Sequence, residues 1–158
     1  MTWKPFVYRT AVTWGDMDSA AIAYTGRFSH WILEAVEMFM RERVGADWYM
    51  INLDHKIGTP FVNMNINFRS PVTPREDLMI EVLVKRTGNS AVTCQFVGRG
   101  DKTNEYRFDA EATFVFANSG TMKKILIPAA FVARLRQEQT HAATHTKAAI
   151  NDKNAAAI

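Results

Sequence analysis

Asp16 and Asp18 stand two residues apart in the stretch Trp14-Gly15-Asp16-Met17-Asp18, which small residues continue as far as Tyr24. A carboxylate in such a loop can take a proton from water or attack an electrophilic carbon itself. Thr25-Gly26 then opens a helical pattern, and the first amides of a helix have no partners within it. With the helix dipole they favour negative charge, which suits a carbonyl oxygen turning into an oxyanion. A loop carboxylate beside a helix start therefore points to acyl transfer. Aspartates also serve as turn and capping residues in loops of this kind, and the spacing alone leaves both roles open.

The elements that must position this pair follow from the hydrophobic period. Phe6 to Trp14 is rich in aromatic and β-branched residues and predicts a strand. From Thr25 to about Arg43, Phe28, Trp31, Ile32, Ala35, Val36, Phe39 and Met40 recur at spacings of three and four. Leu33 and Met38 widen that stripe, so the helix is expected to be largely buried. Thr25 is the expected N-cap and Gly45 the expected stop. Beyond Pro60 the period becomes two. Val62, Met64, Ile66 and Phe68 alternate with Asn63, Asn65 and Asn67, and Leu78, Ile80, Val82 and Val84 repeat the pattern. Ala91 to Gly98 and Tyr106 to Phe116 supply two more strands. Short turns between them imply antiparallel pairing. The expectation is an α+β domain, an antiparallel sheet curved around one long central helix. An exposed edge strand and leftover apolar surface would favour a dimer.

Pro128 opens a short amphipathic helix carrying Phe131, Val132 and Leu135. From about Gln137 the chain turns to Thr, Ala, His and Asn. One domain is therefore expected over residues 1–137, with 138–158 a disordered tail. His141 and His145 have helical spacing there, but two imidazoles without further ligands are weak evidence, and no metal is expected.

Composition narrows the class. The 158 residues are 47% apolar and 22% charged, which suits one globular domain. No apolar run is long enough to cross a bilayer, and no signal peptide is recognisable at the N-terminus. Cys94 is the single cysteine, so the chain cannot form an internal disulfide, and a cytoplasmic setting is expected. It reads as a buried strand residue rather than a nucleophile. The formal charge of +3 comes from scattered cations, unlike the clustered face of a nucleic-acid binder. Neither a nucleic-acid nor a membrane partner is expected. Glu34, Glu37 and His30 on the helix are secondary candidates for acid–base work, with ion pairing or solvation the commoner role for such residues.

Trp14-Gly15-Asp16-Met17-Asp18, followed by Tyr24, Phe28 and Trp31, resembles the signature of the 4-hydroxybenzoyl-CoA thioesterase family. Gly58-Thr59-Pro60 before the next strand resembles it too, as does the order of elements over Phe6 to Leu135. The resemblance implies a hot-dog fold, pairing into homodimers or homotetramers with sites at the interface, and an acyl-CoA substrate that brings its own coenzyme A. No separate cofactor is implied. It places the catalytic carboxylate on Asp18, as nucleophile or general base, and the carbonyl-polarising amide on Thr25. Gly15 and Asp16 become structural, Tyr24 and Trp31 wall the site or pack the core, and Thr59 approaches from a second protomer. The CoA phosphates would meet basic residues, with Lys85, Arg86, Arg99 and Lys102 as candidates. The overall spacing resembles the aroyl-CoA branch, so an aromatic acyl group is expected. Three positions depart from the family. Ala21 stands where glycine is common, Thr25 replaces an aromatic residue or histidine, and Phe28 replaces tyrosine. The changes at Ala21 and Thr25 keep a non-catalytic acyl-CoA or acyl-carrier-protein binding module in play, and an acyl-thioester dehydratase is a more distant rival.

Overall fold

The computed structural model describes residues 2–156, and side chains as far as residue 147. Five strands form one antiparallel sheet: β1 (Phe6–Thr10), β3 (Phe61–Phe68), β4 (Leu78–Thr87), β5 (Ala91–Gly100) and β6 (Tyr106–Val115), in the order β1-β4-β5-β6-β3. The short strands β2 (Ile57–Gly58) and β7 (Ala117–Asn118) pair separately. Helix α1 (Thr25–Phe39) packs on one sheet face, and α2 (Ala129–Ala156) follows the last strand. The two-residue period is legible in the packing. Leu78, Ile80, Val82 and Val84 of β4 and Phe108, Ala110, Ala112 and Phe114 of β6 point into the core. They meet Phe28, Trp31, Ile32, Ala35, Val36 and Phe39 of α1.

α1 differs from its prediction in three ways. Tyr24, extended at φ −60° and ψ 135°, is the N-cap, and Thr25 is the first helical residue. The regular helix stops at Phe39, and a π-helical turn (Met40–Val44) carries the chain to Gly45 at φ 92°. That left-handed value is what ends the helix. Finally, only one face is buried: His30, Leu33 and Glu34 are exposed on the other. A protomer alone leaves this apolar-flanked stripe uncovered.

The predicted tail is helix. α2 continues through residues 138–156, well beyond the last predicted core contact at Leu135. Its anchors come from the far end of the chain. Trp3 Nε1 donates to Glu138 at 3.1 Å, and the Trp3 ring stacks on His141 with centroids 5.5 Å apart. Gln139 accepts from the Thr87 amide, and Ala142 is buried. Composition alone could not foresee this, since the stabilising surface is Trp3, Arg43 and β4 rather than the helix itself. His141 and His145 flank an indole ring. No described helix is long and apolar enough to cross a membrane.

Glu76, in the turn before β4, is the hub of a buried polar cluster. It accepts from the Lys102 and Thr103 amides (both 2.9 Å), from Thr103 Oγ1 (2.7 Å) and from Arg107 Nη2 (2.8 Å). The Thr103 amide and hydroxyl, then Arg107, hold its carboxyl at about 2, against an ordinary value of 4.5. Because the folded-state value is the lower one, Glu76 stabilises the fold above about pH 4.5, and that contribution is lost as pH falls toward 2. We expect acid titration of the folding free energy to show this slope, and Glu76→Gln to flatten it while lowering stability at pH 7. An unchanged slope in the Gln variant would show that other carboxylates set the acid limb.

Candidate active site

The loop between β1 and α1 is tied down at several points. Trp14–Asp16 forms one turn of 3₁₀ helix. Asp16 is 7% exposed, and its Oδ2 accepts from the Thr13 amide at 2.8 Å and from Thr13 Oγ1 at 3.1 Å. Its backbone carbonyl accepts from the Tyr24 amide at 2.9 Å, closing the loop directly onto the helix cap. Arg27, in the first turn of α1, places Nε 2.9 Å from Asp16 Oδ1 as an ion pair. Inside this frame Asp18 donates its amide to Ile22 O, and its Oδ1 accepts from the Ala20 amide at 2.8 Å. Asp18 is otherwise exposed, which leaves the rest of its carboxylate open to solvent.

At Ala21, where the family commonly has glycine, the loop takes the left-handed conformation despite the side chain, with φ at 59°. The Ala21 amide donates to Asp18 O at 3.0 Å, and the left-handed turn at Ala21 brings Ile22 O back to accept from the Asp18 amide at 2.9 Å. An alanine in that region costs about 1 kcal/mol relative to a glycine. We expect Ala21→Gly to raise stability by roughly 0.5–1 kcal/mol, read by denaturant midpoint, with loop geometry unchanged. A loss of stability instead would mean that the methyl packs usefully.

A groove of about 300 Å³ opens at the start of α1, lined by Ile22, Ala23, Thr25, Phe28 and the segment Phe68–Val72. The far wall was not foreseen from sequence. It is joined to the loop by the Ala23 amide donating to Val72 O at 2.8 Å, a long-range bond that no local pattern announces. Phe28 sits at its base, edge-on to Phe68 (4.9 Å) and Phe108 (5.3 Å). Ser70, on the same wall, accepts from Arg107 Nη1 at 3.1 Å, so the Glu76 cluster supports the groove. α1 begins here with no acidic residue in its first turn and no side-chain cap. Its positive end is thus neutralised by neither, and a carbonyl seated beside Thr25 would meet unpaired amides.

The remaining predicted residues are dispersed. Trp31 is 1% exposed and stacks edge-on against Phe28, so it packs the core and does not wall the groove. Tyr24 is 58% exposed beside the helix start. Gly15 lies in the 3₁₀ turn. Thr59 lines a different cavity, of about 350 Å³, with His30, Leu33, Glu34, Glu37 and Trp48. Near it Tyr8 Oη donates to Glu34 at 2.8 Å, and burial followed by that carboxylate raises the Tyr8 hydroxyl above its usual range. The four candidate phosphate ligands split into two groups. Lys85 and Arg86 lie at the end of β4, whereas Arg99 and Lys102 lie beside its start, since Leu78 pairs with Gly100 and Arg86 with Thr93. Seven or so strand residues separate them, about 23 Å, so they do not form one subsite within a protomer. Lys85 is paired with Glu111 at 2.7 Å. Cys94 is fully buried, and desolvation pushes its thiol up to about 12, which removes it as a nucleophile.

A long helix held by a curved antiparallel sheet, with a carboxylate loop at the helix start, defines a hot-dog domain. The chain belongs to the thioesterase-like superfamily, whose family model matches residues 12–135. A thioesterase-superfamily structure from Jannaschia sp. is 35% identical, covering 85% of this chain and 92% of that one with a TM-score of 0.79. The 1,4-dihydroxy-2-naphthoyl-CoA thioesterase of Synechocystis aligns over 84% of this chain and 96% of its own, at 18% identity and a TM-score of 0.77. A Staphylococcus aureus protein solved in complex with CoA aligns over 89% and 87%, at 11% identity and a TM-score of 0.79. At those last two identities the likeness is one of fold. No curated protein matches the chain significantly.

Proposed function

We propose that this protein hydrolyses an acyl-CoA thioester to the free acid and CoA, with an aromatic acyl group as the first choice. The observation that carries the reading is the exposed Asp18 carboxylate, on a loop fastened to the start of α1 where the groove meets Thr25. The superfamily assignment supports the reaction class. The Synechocystis relative, named for an aromatic acyl-CoA, supports the acyl preference, as does the aromatic floor of Phe28 and Phe68. The CoA bound by the Staphylococcus aureus relative supports the thiol half.

In this mechanism the thioester carbonyl accepts from the Thr25 amide at the positive end of α1. Asp18 then follows one of two routes. It attacks the carbonyl carbon, CoA thiolate leaves, and water cleaves the resulting anhydride. Alternatively it takes a proton from water, the hydroxide adds to the carbonyl, and the tetrahedral intermediate expels CoA thiolate. Single turnover in oxygen-18 water separates them, since label enters Asp18 only through the anhydride. A homodimer or homotetramer fits the unpaired edge of β3 and the uncovered stripe of α1. In such an assembly Thr59 of a second protomer can approach the acyl group. The deciding assay is thiol release from benzoyl, hydroxybenzoyl, phenylacetyl and straight-chain acyl-CoAs. Turnover of the aroyl esters above the others supports the full reading. Preference for straight chains retains the reaction and removes the aromatic assignment. Tight binding of every ester without turnover would favour an acyl-CoA binding module instead.

A further inference from the structure

Arg27 is an unusual residue for its position. A cation in the first turn of a helix opposes the dipole, and acidic residues are the favoured occupants there. The first turn of α1 holds no acid at all. What accounts for Arg27 is its neighbours. Nε lies 2.9 Å from Asp16 Oδ1, and the guanidinium sits 5.7 Å from the centroid of the Trp31 ring. Nε is buried, and its contact with Asp16 is ionic without the alignment of a hydrogen bond. The other Asp16 oxygen is already committed to Thr13, and the Asp16 carbonyl to the Tyr24 amide. Asp16 is therefore a fixed point of the loop, and Arg27 links it to the rigid part of the helix.

We propose that Arg27 is a positioning residue: through Asp16 it fixes the Asp18 loop against the first turn of α1, so that carboxylate and helix amides face one reacting carbon. The inference rests on the hydrolase reading above. Asp16 and Asp18 are joined through Met17, whose bridge to Ala23 runs across the loop, so a shift of Asp16 relative to Arg27 moves Asp18 relative to Thr25. A misplacement of about 1 Å can cost on the order of a hundredfold in rate. Trp31 holds the guanidinium from below, which gives that buried indole an indirect part in the site.

The experiment compares Arg27→Met and Arg27→Lys in the wild-type and Asp18→Asn backgrounds. Arg27→Met is expected to lower kcat by about tenfold or more, with KM changed less than about twofold and the melting temperature nearly kept. Arg27→Lys is expected to restore part of the loss, because its ammonium can still reach Asp16. In Asp18→Asn the Met substitution is expected to cost nothing further, since there is no carboxylate left to aim. A folded Arg27→Met enzyme with unchanged kcat overturns the proposal. So does a rise in KM alone, or an equal loss in both backgrounds. Hydrogen exchange supplies an arm independent of turnover. The Asp18 and Ala21 amides, bonded across the loop, and the Ala23 amide, bonded to Val72 O, are expected to exchange faster in Arg27→Met. If the wild type hydrolyses no thioester, the hydrolase reading fails, and unchanged exchange at these amides is the separate result that sinks the Arg27 link.

Discussion

Asp18→Asn is expected to leave the protein folded and to lower kcat for its best thioester by at least about a hundredfold, the lower bound for removing a positioned base. The substitution is nearly isosteric. The carboxamide oxygen it introduces would still accept from the Ala20 amide, so the loop hydrogen bond at 2.8 Å survives. What disappears is the negative charge and both of its uses, attack on carbon and proton abstraction from water. Because the side chain is exposed and not part of the core, stability should change by well under about 1 kcal/mol. Thiol release measured beside a thermal melt checks both halves. Equal rates in the two proteins would remove Asp18 from the mechanism and return it to the role of a turn residue.

Much of the fold was legible because its signals are local. The alternation in β4 and β6 announces strands buried on one face, and the three-four spacing from Phe28 to Phe39 announces the helix that covers them. The loop motif was legible for the same reason: Asp16, Asp18, Tyr24 and Thr25 are near neighbours along the chain. What local pattern cannot show depends on distant pairs. The groove wall of Phe68–Val72 reaches Thr25 through a bond between Ala23 and Val72. The helical course of residues 138–156 depends on Trp3 at the other end of the chain. Trp31 was ambiguous from spacing, since a helix position so near the start can face either core or groove. Its 1% exposure places it in the core. Arg27 escaped notice because a lone surface arginine has no pattern, and its meaning comes only from the Asp16 carboxylate beside it. The spread of the candidate cations has a geometric reason: proximity in an antiparallel pair depends on register, and register sets Arg99 of β5 opposite Met79, at the far end of β4 from Lys85.

Thr25→Pro is the sharper test of the other half of the site. Most substitutions at Thr25 leave its amide in place and so cannot probe an oxyanion contact made by the backbone. Proline removes that amide while suiting the position, because the first helical residue has no intrahelical bond to lose and proline's fixed φ is compatible with a helix start. The preceding residue must be extended, and Tyr24 already is, at φ −60° and ψ 135°. The helix should therefore form normally, and far-ultraviolet circular dichroism and the melting temperature should be nearly unchanged. The rate should fall by about a hundredfold to a thousandfold, the loss associated with one oxyanion donor. KM should move little, because the amide is needed most when charge has developed on the oxygen. A Thr25→Ala control retains the N–H and should keep most of the activity. If Thr25→Pro folds and works as well as Thr25→Ala, the carbonyl is polarised elsewhere, and the next amides of the first turn become the donors to test.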